Sequence, residues 1–253
     1  MMTVRWLGQS GYAIAAGGTR LLLDPYLSDA VERVAGRPRL VPAPLRPQQV
    51  RVDAVICTHD HLDHLDVDAA AAMPAGTRFL TTAGGAETLR RLGQTQVQTL
   101  AVGQTVQVGA ITVKAVFARH TVEAFGVVLR AQRHTLYFSG DTLLDERLFA
   151  VAQEHPQISF LCINGQLGNM DAQQAAAVAV RIGAPVNVPN HYGMFASNTA
   201  DPAAFTRCVP GGRALELDRE YTVAELLALA NKYPPAQPGV FHMRAKPYDT
   251  GHA

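Results

Sequence analysis

Cysteine is scarce in this chain: only Cys57, Cys162 and Cys208 occur among 253 residues. They are far apart, and two of them sit inside apolar, strand-like runs. That pattern excludes a disulfide framework and predicts reduced, buried thiols. Charge is sparse too. Charged residues make up 17% of the chain and the formal net charge is +1, so the basic patch or stripe of an electrostatic nucleic-acid binder is missing. No apolar run approaches the roughly 20 residues of a membrane span. The opening residues, Met1 to Trp6, lack a secretory pattern. A soluble, cytoplasmic protein is therefore expected, without nucleic-acid or membrane partners. Apolar residues, by contrast, are plentiful at 48%, enough to bury a sizeable core.

Hydrophobic patterning places strands in two blocks. Val4–Leu7, Tyr12–Ala15, Arg20–Leu23, Ala54–Cys57 and Phe79–Thr82 form the first, with a hairpin expected at Gly17-Gly18. Thr105–Val108, Ile111–Phe117, Gly126–Ala131, Leu136–Phe138, Ile158–Ile163 and Val186–Val188 form the second. Helices are expected at Val67–Met73, stopped by Pro74, and at Ala86–Leu92, closed by Gly93. Two more are expected at Glu146–Gln153 and Ala172–Arg181. The proline-rich stretch from Pro38 to Pro47 reads as a surface loop. No repeat or linker divides the chain, so residues 1–253 are expected to form one domain. Its architecture is α+β: two sheets packed face to face with helices outside, an αββα sandwich. Residues 234–253, rich in proline and polar side chains, read as an extended tail.

The chemistry concentrates in "VICTHDHLDHLD", from Val55 to Asp66. The chain has nine histidines, and His59, His61 and His64 are three of them. In an extended backbone His59, His61 and Asp63 would face one side, with His64 following where the chain turns into a helix. Imidazole nitrogen and carboxylate oxygen suit Zn²⁺, and also Mn²⁺ or Fe²⁺. One loop cannot complete two coordination shells. His120, Asp141 and His191 stand at the ends of three later strands, where a rigid scaffold presents functional side chains. His134 reads as a hairpin residue and His155 as an exposed helix end, while His242 and His252 fall in the tail. Asp66 reads as the cap of the next helix.

"THDHLDH", then His120, then "SGDT" and "PNHYGMF" together resemble the metallo-β-lactamase-fold hydrolases over residues 3 to 208. The resemblance implies that His59, His61 and His120 hold a first metal ion. Asp63, His64 and His191 hold a second, and Asp141 bridges both; Asp60 matches no ligand position. "LLLDP" also matches the family and implies that Asp24 orients ligand histidines. More narrowly, Asn164-Gly165, Gly168-Asn169-Met170, Pro189-Asn190-His191-Tyr192 and Asn198-Thr199 resemble the L-ascorbate-6-phosphate lactonase branch. That branch carries a longer, arginine-bearing segment where this chain has only Gln166-Leu167.

The resemblance implies a metal-dependent hydrolase with two divalent ions per chain, Zn²⁺ or Mn²⁺ ahead of Fe²⁺. A metal-bound hydroxide would attack a lactone or related ester of a small, phosphorylated or acidic metabolite. The alternative is a phosphodiesterase on the same dinuclear core. Asp63 is the expected proton shuttle. Asn164, Asn169, Tyr192 and Gln9 are the expected substrate contacts, and Phe195 fits either the pocket or the core. Asp171 reads as a helix cap, with anion binding at that helix start as the other reading. Di-iron redox relatives usually carry glutamate where this chain has His61, which favours hydrolysis. The complete ligand set argues against a non-catalytic binding protein. A small-molecule substrate is the expected partner, and self-association into a homo-oligomer is compatible with the sequence.

Overall fold

The computed structural model describes residues 1–230. The tail expected at 234–253, with His242 and His252, lies outside the described residues. The chain begins with strands β1 (Met2–Gly8), β2 (Gly11–Ala16), β3 (Thr19–Leu23), β4 (Ala54–Cys57), β5 (Phe79–Thr81) and β6 (Val97–Thr99). It continues with β7 (Thr105–Val108), β8 (Ile111–Phe117), β9 (Phe125–Ala131), β10 (His134–Phe138), β11 (Ile158–Cys162) and β12 (Val186–Asn190), and β13 (Glu220–Thr222) closes the set. One sheet runs β13-β1-β2-β3-β4-β5-β6 and the other β12-β11-β10-β9-β8-β7. This is the αββα sandwich expected from the strand blocks.

Side-chain alternation decides which face of each strand enters the sandwich. In β1, Met2, Val4 and Trp6 point into the inter-sheet core while Thr3 and Arg5 stay partly exposed. In β8, Ile111, Val113 and Ala115 do the same. The parallel strands β4, β11 and β12, the last at the edge of its sheet, are buried along their whole length, as strands covered on both faces must be. Phe138 and Phe160 stack at 4.2 Å with planes 7° apart, and Tyr12 meets both rings from the opposite sheet.

Helices α1 (Ala30–Ala35), α2 (Val67–Ala72) and α3 (Ala83–Arg91) follow strands of the first sheet. Helix α2 and α3 cover the outer residues Leu22, Val55 and Phe79 with Ala69, Ala70 and Leu89. Helix α4 (Ala172–Ile182) covers the second sheet, with α5 (Pro202–Thr206) and α6 (Val223–Ala230) later in the chain. Asp171 caps α4 through a capping box with Gln174, and Gly183 ends it in the left-handed conformation. Asp171 thus spends its carboxylate on the free N–H groups of Gln173 and Gln174, and the capping reading holds.

Three local expectations change. Helix α3 starts at Ala83, three residues early, because Thr82 leaves the strand and caps it through Gly85 N. Glycine at 84 and 85 is required there. A Cβ at Gly85 would meet Thr81 Oγ1 at 2.3 Å, and one at Gly84 would meet Asp60 Oδ2 at 2.9 Å. Glu146–Glu154 forms a 3-10 rather than an α-helix, ending at His155 in the left-handed region. Cys208 is exposed, whereas Cys57 and Cys162 are buried free thiols.

Candidate metal centre

Strand β4 ends at Cys57, and the chain then turns instead of staying extended. Leu65 N donates to His61 O at 2.8 Å and His64 N to the same oxygen at 3.0 Å. This single helical turn, not a pleated face, brings His59, His61, Asp63 and His64 to one side. Asp66 ends the turn. It accepts from Ala69 N to cap α2 and also holds Leu27 N and Ser28 N.

His120 after β8, Asp141 after β10 and His191 after β12 meet this turn. Three groups of side chains have ligand atoms within 4.8 Å of one another: His59, His61 and His120; His59, His64 and Asp141; and Asp63, His64 and His191. His61 Nδ1 lies 3.1 Å from both His59 Nε2 and His120 Nε2. Asp141 stands between the groups, with Oδ1 3.2 Å from His64 Nε2 and Oδ2 3.1 Å from His191 Nε2. Its Oδ2 is also 3.8 Å from His120 Nε2 and 4.0 Å from His59 Nε2. His64 Nε2 and Asp141 Oδ1 are buried atoms without a hydrogen-bond partner. Buried polar atoms without partners are costly, and this facing pair, with three imidazole nitrogens converging beside it, is the donor set of a divalent cation. The residues present therefore fit divalent-metal binding.

A supporting layer fixes the imidazole tautomers. Asp24, 1% exposed, accepts from Thr58 N at 2.7 Å, Thr58 Oγ1 at 2.8 Å and His64 Nδ1 at 2.8 Å. The proton on His64 Nδ1 leaves Nε2 free to face the centre. Thr58 Oγ1, having given its proton to Asp24, lies 3.1 Å from His59 Nδ1 and can accept from it. One carboxylate thus orients two histidines. His120 Nδ1 donates to Gly168 O at 3.1 Å. Gln9, Asp24 and His191 all have positive φ, at 51°, 45° and 62°. Such backbone costs of order 1–3 kcal/mol per residue and collects at functional sites.

Electrostatics follow from this packing. Burial opposes charge on His64, but Asp141, Asp24 and Asp63 around it raise its pKa well above the usual value. Burial likewise opposes charge on His191, yet Asp141 and Asp63 push it up to about 9. Burial lowers His59 and His120. Burial disfavours the carboxylate of Asp63, but His64 and His191 outweigh it and hold Asp63 well below the usual range.

The residues expected to contact substrate lie within and beside the same cluster. Gln9 is fully buried and its Nε2 donates to Asp63 Oδ2 at 2.9 Å, 3.2 Å from His191 Nδ1. Asn169 Nδ2 donates to Asp141 Oδ2 at 2.8 Å and to Asn164 Oδ1 at 3.0 Å. These three amides support the Asp and His side chains of the centre. Tyr192 is buried and packs on Trp6, ring centroids 4.9 Å apart. Phe195 belongs to a small cluster with Tyr26 and Met194. Asp60 lies against Gly84 at the start of α3, away from ligand duty. The sequence reading missed Thr58 altogether. Its signal was position: a hydroxyl between a buried strand and the first histidine.

Residues 19–192 match the family described as a beta-lactamase superfamily domain. A UPF0173 metal-dependent hydrolase of Methanopyrus kandleri is 28% identical over 238 residues, which cover 88% of this chain and 97% of the relative. Igni18, a metallo hydrolase from Ignicoccus hospitalis, shares 21% identity at a TM-score of 0.69, covering 87% of this chain and 97% of its own. An isothiocyanate hydrolase from Delia radicum gut bacteria shares 20% identity at a TM-score of 0.74, covering 87% and 99%. These two structures show the likeness of fold. No helix among the described residues is long and apolar enough to cross a membrane.

Proposed function

The chain belongs to the beta-lactamase superfamily, and from that premise we propose that it is a metal-dependent hydrolase acting at an electrophilic carbon, a lactone or related ester of a small metabolite. The observation that carries the reading is the convergence of His59, His61, Asp63, His64, His120, Asp141 and His191 into interlocking ligand groups. His59, His61 and His120 would hold one ion, Asp63, His64 and His191 the other, with Asp141 between them. Ions bound there act as Lewis acids and lower the pKa of coordinated water to about 7.

The chain's own groups supply orientation and proton handling. Asp24 and Gly168 O hold His64 and His120 in the tautomer that turns Nε2 inward. Asp63 is the more accessible carboxylate, its side chain 17% exposed against 5% for Asp141. Gln9 pins its Oδ2. A water adding to the substrate carbon must lose a proton, and the ring or ester oxygen that leaves must gain one. Asp63 would take the first and return it to the second. Among the described residues, no lysine or arginine pairs with any of the seven.

Metal analysis of reconstituted protein, paired with a panel of lactones, aryl esters, isothiocyanates and phosphodiesters, tests the reading. Two ions per chain and turnover of a carbon electrophile are expected. Fewer than one ion per chain would overturn it. Phosphodiester turnover alone would replace carbon with phosphorus as the target. Asp63→Asn that kept full metal and full activity would remove the proton shuttle.

A further inference from the structure

We infer that Asn169 is a positioning residue for the bridge of the centre: its side-chain amide fixes the rotation of the Asp141 carboxylate, and Asn164 and Asn198 fix Asn169 in turn. The inference rests on the reading of Asp141 as the carboxylate shared by two ions. A carboxylate shared by two sides of a site must keep its oxygens at fixed positions toward both, yet the terminal torsion of aspartate is broad and poorly restrained by sterics. Something must hold it. The histidines that approach Asp141 do so through nitrogens aimed at the centre. Among the described residues the remaining side-chain donor to it is Asn169 Nδ2, 2.8 Å from Oδ2.

The amide cannot turn over without loss. Its second hydrogen goes to Asn164 Oδ1 at 3.0 Å. Asn164 Nδ2 then donates to Asn198 Oδ1 at 2.8 Å. Rotating the Asn169 amide by half a turn would set its oxygen against both Asp141 and Asn164, two contacts between acceptors. All three asparagines are buried, at 5%, 4% and 5% exposure, so water does not compete. The relay ties together the loops after β10, β11 and β12. The same loop reaches the other side of the centre, where Gly168 O accepts from His120. A Cβ at Gly168 would come within 3.0 Å of His120 Nδ1. The short Gln166-Leu167 connection therefore draws a strap over the ligands.

The test loads wild type, Asn169→Ala, Asn169→Asp and Asn198→Ala with Mn²⁺ or Zn²⁺ alone. Chelator competition gives the affinity of each equivalent, and electron paramagnetic resonance of the Mn²⁺ protein reads coupling between the ions. N169A is expected to weaken the second equivalent about 10- to 100-fold, the usual effect of losing a partner that orients a ligand. The exchange-coupled signal should give way to that of isolated ions. N169D keeps the volume but sets an acceptor against Asp141, and should do at least as much. N198A should act in the same direction with a smaller change. A second equivalent within twofold of wild type and an unchanged coupled signal, in whichever of N169A and N169D folds, would overturn the inference alone. Wild type that binds fewer than two ions, or binds two without coupling, would overturn the two-ion reading beneath it.

Discussion

Replacing Asp24 with asparagine asks whether one buried carboxylate organises the centre. Asparagine tolerates the positive φ of 45° at this position, so the change tests chemistry and not backbone strain. The carboxylate accepts three hydrogen bonds, from Thr58 N, Thr58 Oγ1 and His64 Nδ1. The amide offers one oxygen, and its NH₂ must face at least one of those donors. One buried N–H or O–H then loses its partner, at about 1–3 kcal/mol. The surviving bonds lose their charge assistance, roughly half their strength. We expect a loss of about 2–4 kcal/mol in the metal-free protein, a large share of a typical 5–15 kcal/mol. Urea unfolding at pH 7 reads it as a lower midpoint with an unchanged slope. Because His64 and His59 both lose their orienting partner, metal affinity should fall about 10- to 100-fold, read by chelator competition. Destabilisation below about 1 kcal/mol with metal affinity within threefold of wild type would refute the role argued for Asp24.

Metal uptake should release protons. His191, raised to about 9, and His64, raised well above the usual value, carry protons at neutral pH that an ion must displace. Affinity is therefore expected to rise with pH by about tenfold per unit for each displaced proton, with the His191 share of that rise ending above about 9; pH-independent competition titrations would contradict this. In the metal-free protein the raised His191 pKa contributes stability that is full below its unfolded value of about 6.5. That contribution is lost as pH rises through about 9, a trend visible in melting temperatures. Gly168→Ala, at φ +89° with a Cβ 2.9 Å from Thr121 Cγ2, should shift the strap off His120, destabilise by about 1–3 kcal/mol and weaken metal binding; unfolding curves and competition read both. Thr58→Val keeps the shape but removes the hydroxyl between Asp24 and His59. It should cost about 1–2 kcal/mol in urea unfolding.

Much of the sandwich was legible because its strands alternate or run apolar over four residues or more. Strand β6, Val-Gln-Thr, and β13, Glu-Tyr-Thr, are three residues long, too short for a period to show. They exist because backbone partners β5 and β1 demand them. The start of α3 was misplaced for a different reason. Two glycines argue against a helix locally, but they are what lets α3 lie against Thr81 and Asp60. The 3-10 stretch Glu146–Glu154 has the apolar spacing of an α-helix, and composition does not distinguish the two. The His and Asp residues of the centre were legible from spacing. The hydrogen bonds that tie Gln9, Asn164 and Asn169 into the centre were not, since side-chain amides carry no spacing pattern of their own.

Strand direction explains why so many separate pieces of sequence reach one point. Strands β3, β4 and β5 run parallel, as do β10, β11 and β12. Antiparallel pairs β1–β2 and β2–β3 give β1 the direction of β3, and β8–β9 and β9–β10 give β8 that of β10. The residues in question follow the carboxyl ends of these strands: Gln9 after β1, Asp24 after β3, the histidine turn after β4, and His120 after β8. Asp141 follows β10, and the Asn164–Asn169 strap follows β11. His191 lies directly beyond β12. The centre is therefore the common edge at which these strands of both sheets stop. On this view ligand, orienting carboxylate and relay amide differ only in reach. The seven clustered His and Asp side chains extend to the centre, while Asp24, Thr58, Gln9 and Asn169 stop one hydrogen bond short and hold those that do.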